Sequence, residues 1–180
     1  MTVRRRNILK YINHTKLISI ATAFTVLLTG CGKTDPELDT YKKEMTAFTE
    51  TVTDLVDSIN AIDVDSDNRT EELLSYLDEM DIAFTDMAAL EVPEEFSNIE
   101  ELADEASSNL SRAVSLYHEA FDGTGEDFDN NIPREEILSA AHEYYSRAFK
   151  RIDFIGTILQ GELPDDESVT IIHETETEEE

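Results

Sequence analysis

The chain contains a single cysteine, Cys31, which directly follows Leu28, Thr29 and Gly30. One thiol cannot form an intramolecular disulfide, so its chemistry is either covalent modification or none, if it is an ordinary buried free thiol. Small residues stand directly before it, at the end of an apolar stretch.

The segment before Cys31 has the order of a signal peptide. A basic stretch that ends at Lys16 is followed by twelve residues, 17–28, in which Ser and Thr are the only polar types. A membrane span needs about 20 apolar residues, and runs of about 10 to 14 are more typical of a signal peptide or a buried helix. A permanent transmembrane helix and a core helix are therefore the weaker interpretations. We expect residues 1–30 to be a removable leader.

Leu28-Thr29-Gly30-Cys31 resembles the lipobox of bacterial lipoproteins. The resemblance implies that diacylglycerol is attached to the Cys31 thiol and that a signal peptidase recognises Leu28, Thr29 and Gly30 and cuts before the cysteine. No cofactor other than this covalent lipid is implied. Since two acyl chains give stable anchoring, the protein is expected on the extracytoplasmic face of the cell membrane. Gly32, the next residue, leaves open which membrane that is in a cell with two.

Two export routes fit the basic start of the leader. Residues 5–10, Arg5-Arg6-Asn7-Ile8-Leu9-Lys10, resemble the twin-arginine motif, with Arg4 where Ser or Thr is usual. The alternative is an ordinary basic region that satisfies the positive-inside rule. Both routes stay open.

The net charge reverses at Cys31. Five of the 14 Lys and Arg precede it, which leaves nine against all 41 Asp and Glu. Nucleic acid requires a positive binding surface and is excluded as a partner, and adhesion to anionic lipid is disfavoured. The expected partners are the membrane, reached through the lipid anchor, and a protein or envelope component of unknown identity.

Alternate carboxylates at Asp63, Asp65 and Asp67 have the spacing of the first three ligands of a calcium loop. Such a loop also needs Gly at its sixth position and Glu at its twelfth, where Asn68 and Leu74 stand. Glu71 or an acid of residues 122–131 could supply the missing ligands. The alternatives are a weak calcium site and a solvated turn that caps the next helix.

The histidines His118 and His142 do not form a di-metal pattern. A di-metal bundle places Glu three residues before each His ligand, where Ser115 and Ser139 stand here. Each histidine lies beside an apolar stripe, which is more typical of a half-buried boundary residue. The sequence also has no Gly-x-Ser-x-Gly turn and no Gly-rich phosphate loop, so we expect no enzymatic activity.

Apolar residues at steps of three and four predict four amphipathic helices and an all-α fold. Asn68 and Glu71 predict a capping box at the start of the second helix, over 69–90, while Pro93 and Pro133 predict the starts of the third and fourth. The predicted core residues are Leu38, Tyr41, Met45, Phe48, Val52, Leu55, Ile59, Ile62, Leu73, Leu77, Met80, Phe84, Met87, Leu90, Phe96, Ile99, Ala103, Ala106, Leu110, Ala113, Tyr117, Ala120, Ile137, Ala141, Tyr144, Ala148, Ile152, Ile155 and Leu159, with Leu102, Val114 and Phe121 widening the face of the third helix.

We predict an up-down-up-down antiparallel four-helix bundle over 37–162, because the connections are short. The domain order is signal peptide 1–30, spacer 31–36, bundle, and a disordered acidic tail over 163–180. A long coiled coil is less compatible with Pro93 and the glycines near 123. Alternating helices bring the acidic segments 63–68 and 122–131 together at the membrane-distal end.

The architecture resembles uncharacterised four-helix lipoproteins of Gram-positive bacteria, a resemblance that implies no residue roles. The expected function is a non-enzymatic binding or structural role at the cell envelope. The alternative is a weak divalent-cation-binding or sensing module that uses residues 63–68 and 122–131.

Overall fold

The computed structural model describes residues 36–123 and 132–161, and in these ranges the fold is all-α. The elements are α1 (Pro36–Asn60), α2 (Arg69–Ala88), a 3-10 turn (Glu94–Phe96), α3 (Asn98–Phe121) and α4 (Arg134–Leu159). The described residues contain no strand. The predicted all-α class and the four helices are therefore confirmed for the described residues. None of the described helices is both long and apolar enough to cross a bilayer.

Four predicted segments fall partly or wholly outside the described residues. The leader 1–30 and the spacer up to residue 35 precede them, and the tail 163–180 follows them. Within the second acidic segment, residues 124–131 are also outside. These predictions stay predictions.

Two helix starts differ from the predictions. Asn68 stands at the N-cap of α2, but its backbone is not extended (φ −96°, ψ 7°) and its side chain makes no capping bond. Its Nδ2 instead donates to Glu72 Oε1 at 2.6 Å, so the capping box with Glu71 is wrong. Pro93 opens the 3-10 turn, in which the Phe96 N–H donates to the Pro93 carbonyl at 2.8 Å. The third helix therefore begins only at Asn98, whereas the fourth begins directly after Pro133 as predicted.

Besides a smaller cluster between α3 and α4 alone, buried apolar side chains from all four helices form one main core. At its centre Phe84 of α2 is fully buried and meets two rings edge-to-face. Its ring centroid lies 5.1 Å from that of Phe48 on α1 and 5.4 Å from that of Phe149 on α4. Burying one such side chain contributes about 1.5–3 kcal/mol, so this three-ring contact is a main tie between α1, α2 and α4.

The buried face of α4 differs from the predicted stripe. Tyr144 and Ile152 are only half-buried, while Tyr145, Phe149 and Arg151 are buried. Neighbouring residues on a helix point about 100° apart, so contact with more than one helix widens and turns the buried face beyond a single stripe. On α3, likewise, Tyr117 is half-buried, and the buried residues that were not predicted are Leu116 and Glu119.

The most extensive helix–helix interface joins α3 and α4, and the smallest of the three main ones joins α1 and α2. Small side chains let helix backbones approach closely. The buried small residues on these two helices are Ala103, Ala106, Ala113, Ala120, Ala141, Ala148 and Gly156. The α3–α4 pair is therefore the closely packed part of the fold.

Candidate functional site

His118, in the last turn of α3, is held by two carboxylates from different directions. Its Nε2 lies 2.8 Å from Asp78 Oδ1 on α2, and its Nδ1 lies 2.9 Å from Asp122 Oδ2, one turn further along the chain. A neutral imidazole carries one N–H, whereas an imidazolium carries two. Only the imidazolium can donate to both carboxylates, so the geometry favours the charged ring.

The surroundings of His118 also favour its protonated form. Burial lowers its pKa, but the hydrogen bonds and charges of Asp122 and Asp78 act the other way, and together they raise the pKa above the usual 6.5. The C-terminal end of a helix stabilises a positive charge as well. The surroundings of His118 therefore favour its protonated form.

A second polar contact joins α2 and α3. Ser111 Oγ donates to Asp81 Oδ1 at 2.5 Å, one turn along α2 from Asp78 and two turns along α3 from His118. Along α2 the residue number rises from Asp78 to Asp81, whereas the number of the partner residue on α3 falls from His118 to Ser111. The two contacts thus form a polar strip between α2 and α3.

Two charged contacts join α3 and α4. Arg151, which is only 9% exposed, donates through Nε to Glu105 Oε2. Near the other end of the pair, Arg134 places its Cζ 4.8 Å from the centroid of the Phe121 ring, and burial lowers its pKa. Here too the order is reversed: the later residue of α4, Arg151, contacts the earlier residue of α3, Glu105. The earlier residue of α4, Arg134, contacts the later residue of α3, Phe121.

The three aspartates predicted as cation ligands lie in the turn between α1 and α2. Asp63, Asp65 and Asp67 are all exposed, and Asp63 Oδ1 accepts the Asp65 N–H at 2.9 Å. Within 36–123 and 132–161, no three His, Cys, Asp or Glu residues are placed to hold a metal ion together. Because residues 124–131 are part of the cation hypothesis, it stays a prediction.

The lipidation residues predicted from the sequence, Leu28, Thr29, Gly30 and Cys31, precede the described residues. The first described helix begins at Pro36, five positions after Cys31. Only a few residues therefore separate the predicted lipid from the helical fold.

Three phenol groups in the fold stay neutral well above physiological pH. Burial raises the pKa of Tyr41 and of Tyr117 to about 12, and burial with the charge of Tyr117 raises that of Tyr145 further. The Tyr41 hydroxyl is buried with no hydrogen-bond partner among the described residues. These tyrosines act as core residues, and none is prepared to exchange a proton at neutral pH.

Comparison with protein-family models, with curated proteins and with solved structures finds no match for the chain. The chemistry of the site therefore rests on its own geometry. The two imidazole nitrogens face different carboxylates on opposite sides of the ring, so one ion cannot bridge both contacts. The site can join helices and exchange one proton.

Part of this site is readable from the sequence. Asp122 lies four positions after His118, a spacing that brings side chains together on a helix. This spacing could have predicted their contact, which was not among the predictions from the sequence. Asp78 lies 40 positions away and Glu105 lies 46 positions from Arg151. Contacts between residues so far apart in sequence cannot be predicted from local spacing in a chain with so many acidic residues.

Proposed function

We propose that the protein is a bacterial lipoprotein, held by diacylglycerol on Cys31 at the extracytoplasmic face of the cell membrane. The observation that carries the proposal is the position of this cysteine. It is the only one in the chain, and it follows an apolar stretch and the small residues Thr29 and Gly30. The reversal of charge at Cys31 and the start of α1 at Pro36 support the same boundary.

We further propose that the four helices form an up-down-up-down antiparallel bundle. Between α2 and α3, and between α3 and α4, the residue numbers rise along one helix as those of their partners fall along the other. This order of contacts supports the topology. The short connection over 61–68 supports it for α1 and α2. In this arrangement the connections 61–68 and 122–133 lie at the membrane-distal end, and the connection 89–97 lies near the membrane.

The proposed role of the helices is binding or structural, and not enzymatic. Both nitrogens of His118 are occupied by carboxylates, so the ring is not free to activate a nucleophile. The Ser111 hydroxyl is likewise engaged, as a donor to Asp81. The acidic surface disfavours anionic partners, so the proposed partner is a protein or an envelope component.

Metabolic labelling with an alkyne-bearing fatty acid tests the anchor. The full chain is expressed in a bacterial host, and labelling, membrane fractionation and the mass of the N-terminal peptide are compared with those of Cys31→Ser. We expect the parent protein to be labelled, to fractionate with membranes and to begin at residue 31 with a diacylglyceryl group. Cys31→Ser should lose the label and keep its leader.

A matched control moves the thiol within the same chain. The double variant Cys31→Ser, Thr34→Cys keeps one cysteine but places it outside the lipobox, so we expect no label. A labelled displaced cysteine would show that acylation does not depend on the lipobox. Absence of the label from the parent protein, or of a diacylglyceryl group on its residue 31, would overturn the proposed anchor.

A further inference from the structure

We propose that His118 is a proton-operated latch: as an imidazolium it ties Asp78 of α2 to Asp122 at the end of α3, and loss of one proton opens one of these two ties. The proposal concerns regulation and is independent of the lipid anchor. It rests on the two ring contacts of 2.8 and 2.9 Å and on the place of His118 where α3 ends.

The backbone of His118 holds the same end of the helix. Its carbonyl accepts the Asp122 N–H at 2.9 Å and the Gly123 N–H at 3.0 Å. Gly123 has φ 76°, the left-handed conformation that glycine favours after a helix. His118 therefore fixes the α3 terminus twice, through its carbonyl and through its ring. Opening the ring contact to Asp122 acts directly on the first residue of the acidic connection to α4.

Charged groups from three elements lie at this end of α3, and two of them contact the His118 ring. Asp78 faces it from α2, where Asp81 one turn further is engaged by Ser111. On its own helix, Asp122 faces it and the buried Glu119 is its neighbour in sequence. From α4, Arg134 reaches the same end of α3, over the ring of Phe121. Among the described groups, the charges that act on the His118 pKa are those of Asp78 and Asp122.

Deprotonation removes a donor from a ring that faces two acceptors. The neutral imidazole keeps one N–H, so its other nitrogen turns a lone pair toward a carboxylate, and that contact becomes repulsive. Because the folded pKa is raised above 6.5, the stabilisation is fully present below about pH 6.5. It is lost as the pH rises through the folded pKa. The latch is thus closed in acid and opens toward alkaline pH.

An NMR titration of the histidine side chains in the full chain tests the latch. The His118 resonance is assigned by its absence in His118→Gln. We expect a His118 pKa above 6.5, lowered by Asp78→Asn and lowered by Asp122→Asn. The double variant should titrate below 6.5, because burial then acts alone and lowers the pKa. Asp86→Asn, an exposed change on α2, is the matched control and should leave the His118 pKa unchanged.

Amide exchange of the parent protein provides a readout that needs no variant. After correction for the intrinsic pH dependence, protection of the Asp122 and Gly123 N–H groups should fall as His118 titrates. In His118→Gln the protection should not depend on pH in this range. A His118 pKa at or below 6.5, or one that neither Asn variant moves, overturns the proposal. So does unchanged protection at these two amides across the His118 titration.

Discussion

Arg151 of α4 lies buried against the carboxylate of Glu105 on α3, and its Cζ is 5.9 Å from the centroid of the Phe154 ring. A charge in this position is tolerated because a partner and an aromatic face replace the water that burial removes. The contact also fixes the register of the closely packed α3–α4 pair, since a shift of one turn along either helix would separate the two groups.

Removal of the carboxylate should therefore be costly. In Glu105→Ala the buried guanidinium keeps its charge and loses its partner, so we expect the free energy of unfolding to fall by about 3 kcal/mol. Urea denaturation followed by circular dichroism measures this loss. Glu143→Ala is the matched control, because it breaks an Arg147–Glu143 pair whose side chains are 49% and 63% exposed. That change should cost about 0.5 kcal/mol or less. Equal effects of the two variants would contradict the burial argument.

The three-ring contact at the centre of the core gives a second prediction. Phe84→Ala removes a fully buried ring that meets Phe48 and Phe149, so we expect a loss of about 3–5 kcal/mol of unfolding free energy. The control is Ile82→Ala on the same helix, where the side chain is 62% exposed and the expected change is within about 0.5 kcal/mol. Chemical denaturation of both variants checks the difference. A Phe84→Ala loss below about 1 kcal/mol would mean that the rings do not share one core.

Removal of the buried Tyr41 hydroxyl should stabilise the fold, unlike the two substitutions above. The hydroxyl has no hydrogen-bond partner among the described residues, and an unsatisfied buried polar group costs about 1–3 kcal/mol. We expect Tyr41→Phe to raise the free energy of unfolding by about 1 kcal/mol at neutral pH. Tyr144→Phe, at a half-buried ring beside Arg147, should change it by no more than about 0.5 kcal/mol. A clear destabilisation by Tyr41→Phe would contradict this prediction and show that the hydroxyl is hydrogen-bonded.

Tyr41 also links stability to alkaline pH. Its folded pKa of about 12 lies above the usual 10.0, so the folded state retains the phenol proton longer than the unfolded chain does. The parent protein should therefore lose stability as the pH rises from 10 toward 12. Tyr41→Phe should lose less over the same interval, and denaturation curves at several alkaline pH values measure the difference.

Helix positions and most core residues could be predicted because apolar residues recur at helical spacing. Tyr41, Phe48, Phe84 and Ile155 all lie on predicted stripes and are all buried. The edges of a stripe were harder to place. Tyr144 and Tyr145 are adjacent and of one type, so only the positions of the neighbouring helices decide which of them is buried.

The polar contacts that join helices could not be predicted from the sequence pattern. With 41 acidic residues in the chain, each basic residue has many candidate partners at long separation. Which acidic residue pairs with Arg151 depends on the register of α3 and α4, and local spacing does not encode that register. The error at Asn68 has a similar origin, since the turn before α2 sets a backbone conformation in which the side chain meets Glu72 and not the helix amides.

The ranking of the helix interfaces determines how the fold responds to mechanical load. A pull on the N-terminal end reaches α1 first, and α1 joins its neighbour α2 through the smallest of the three main interfaces. Segments with the least packing open at the lowest free energy. Tension applied at that end should therefore peel α1 from α2 while the alanine-lined α3–α4 pair stays intact, so that α1 serves as a tether that yields before the rest of the domain does.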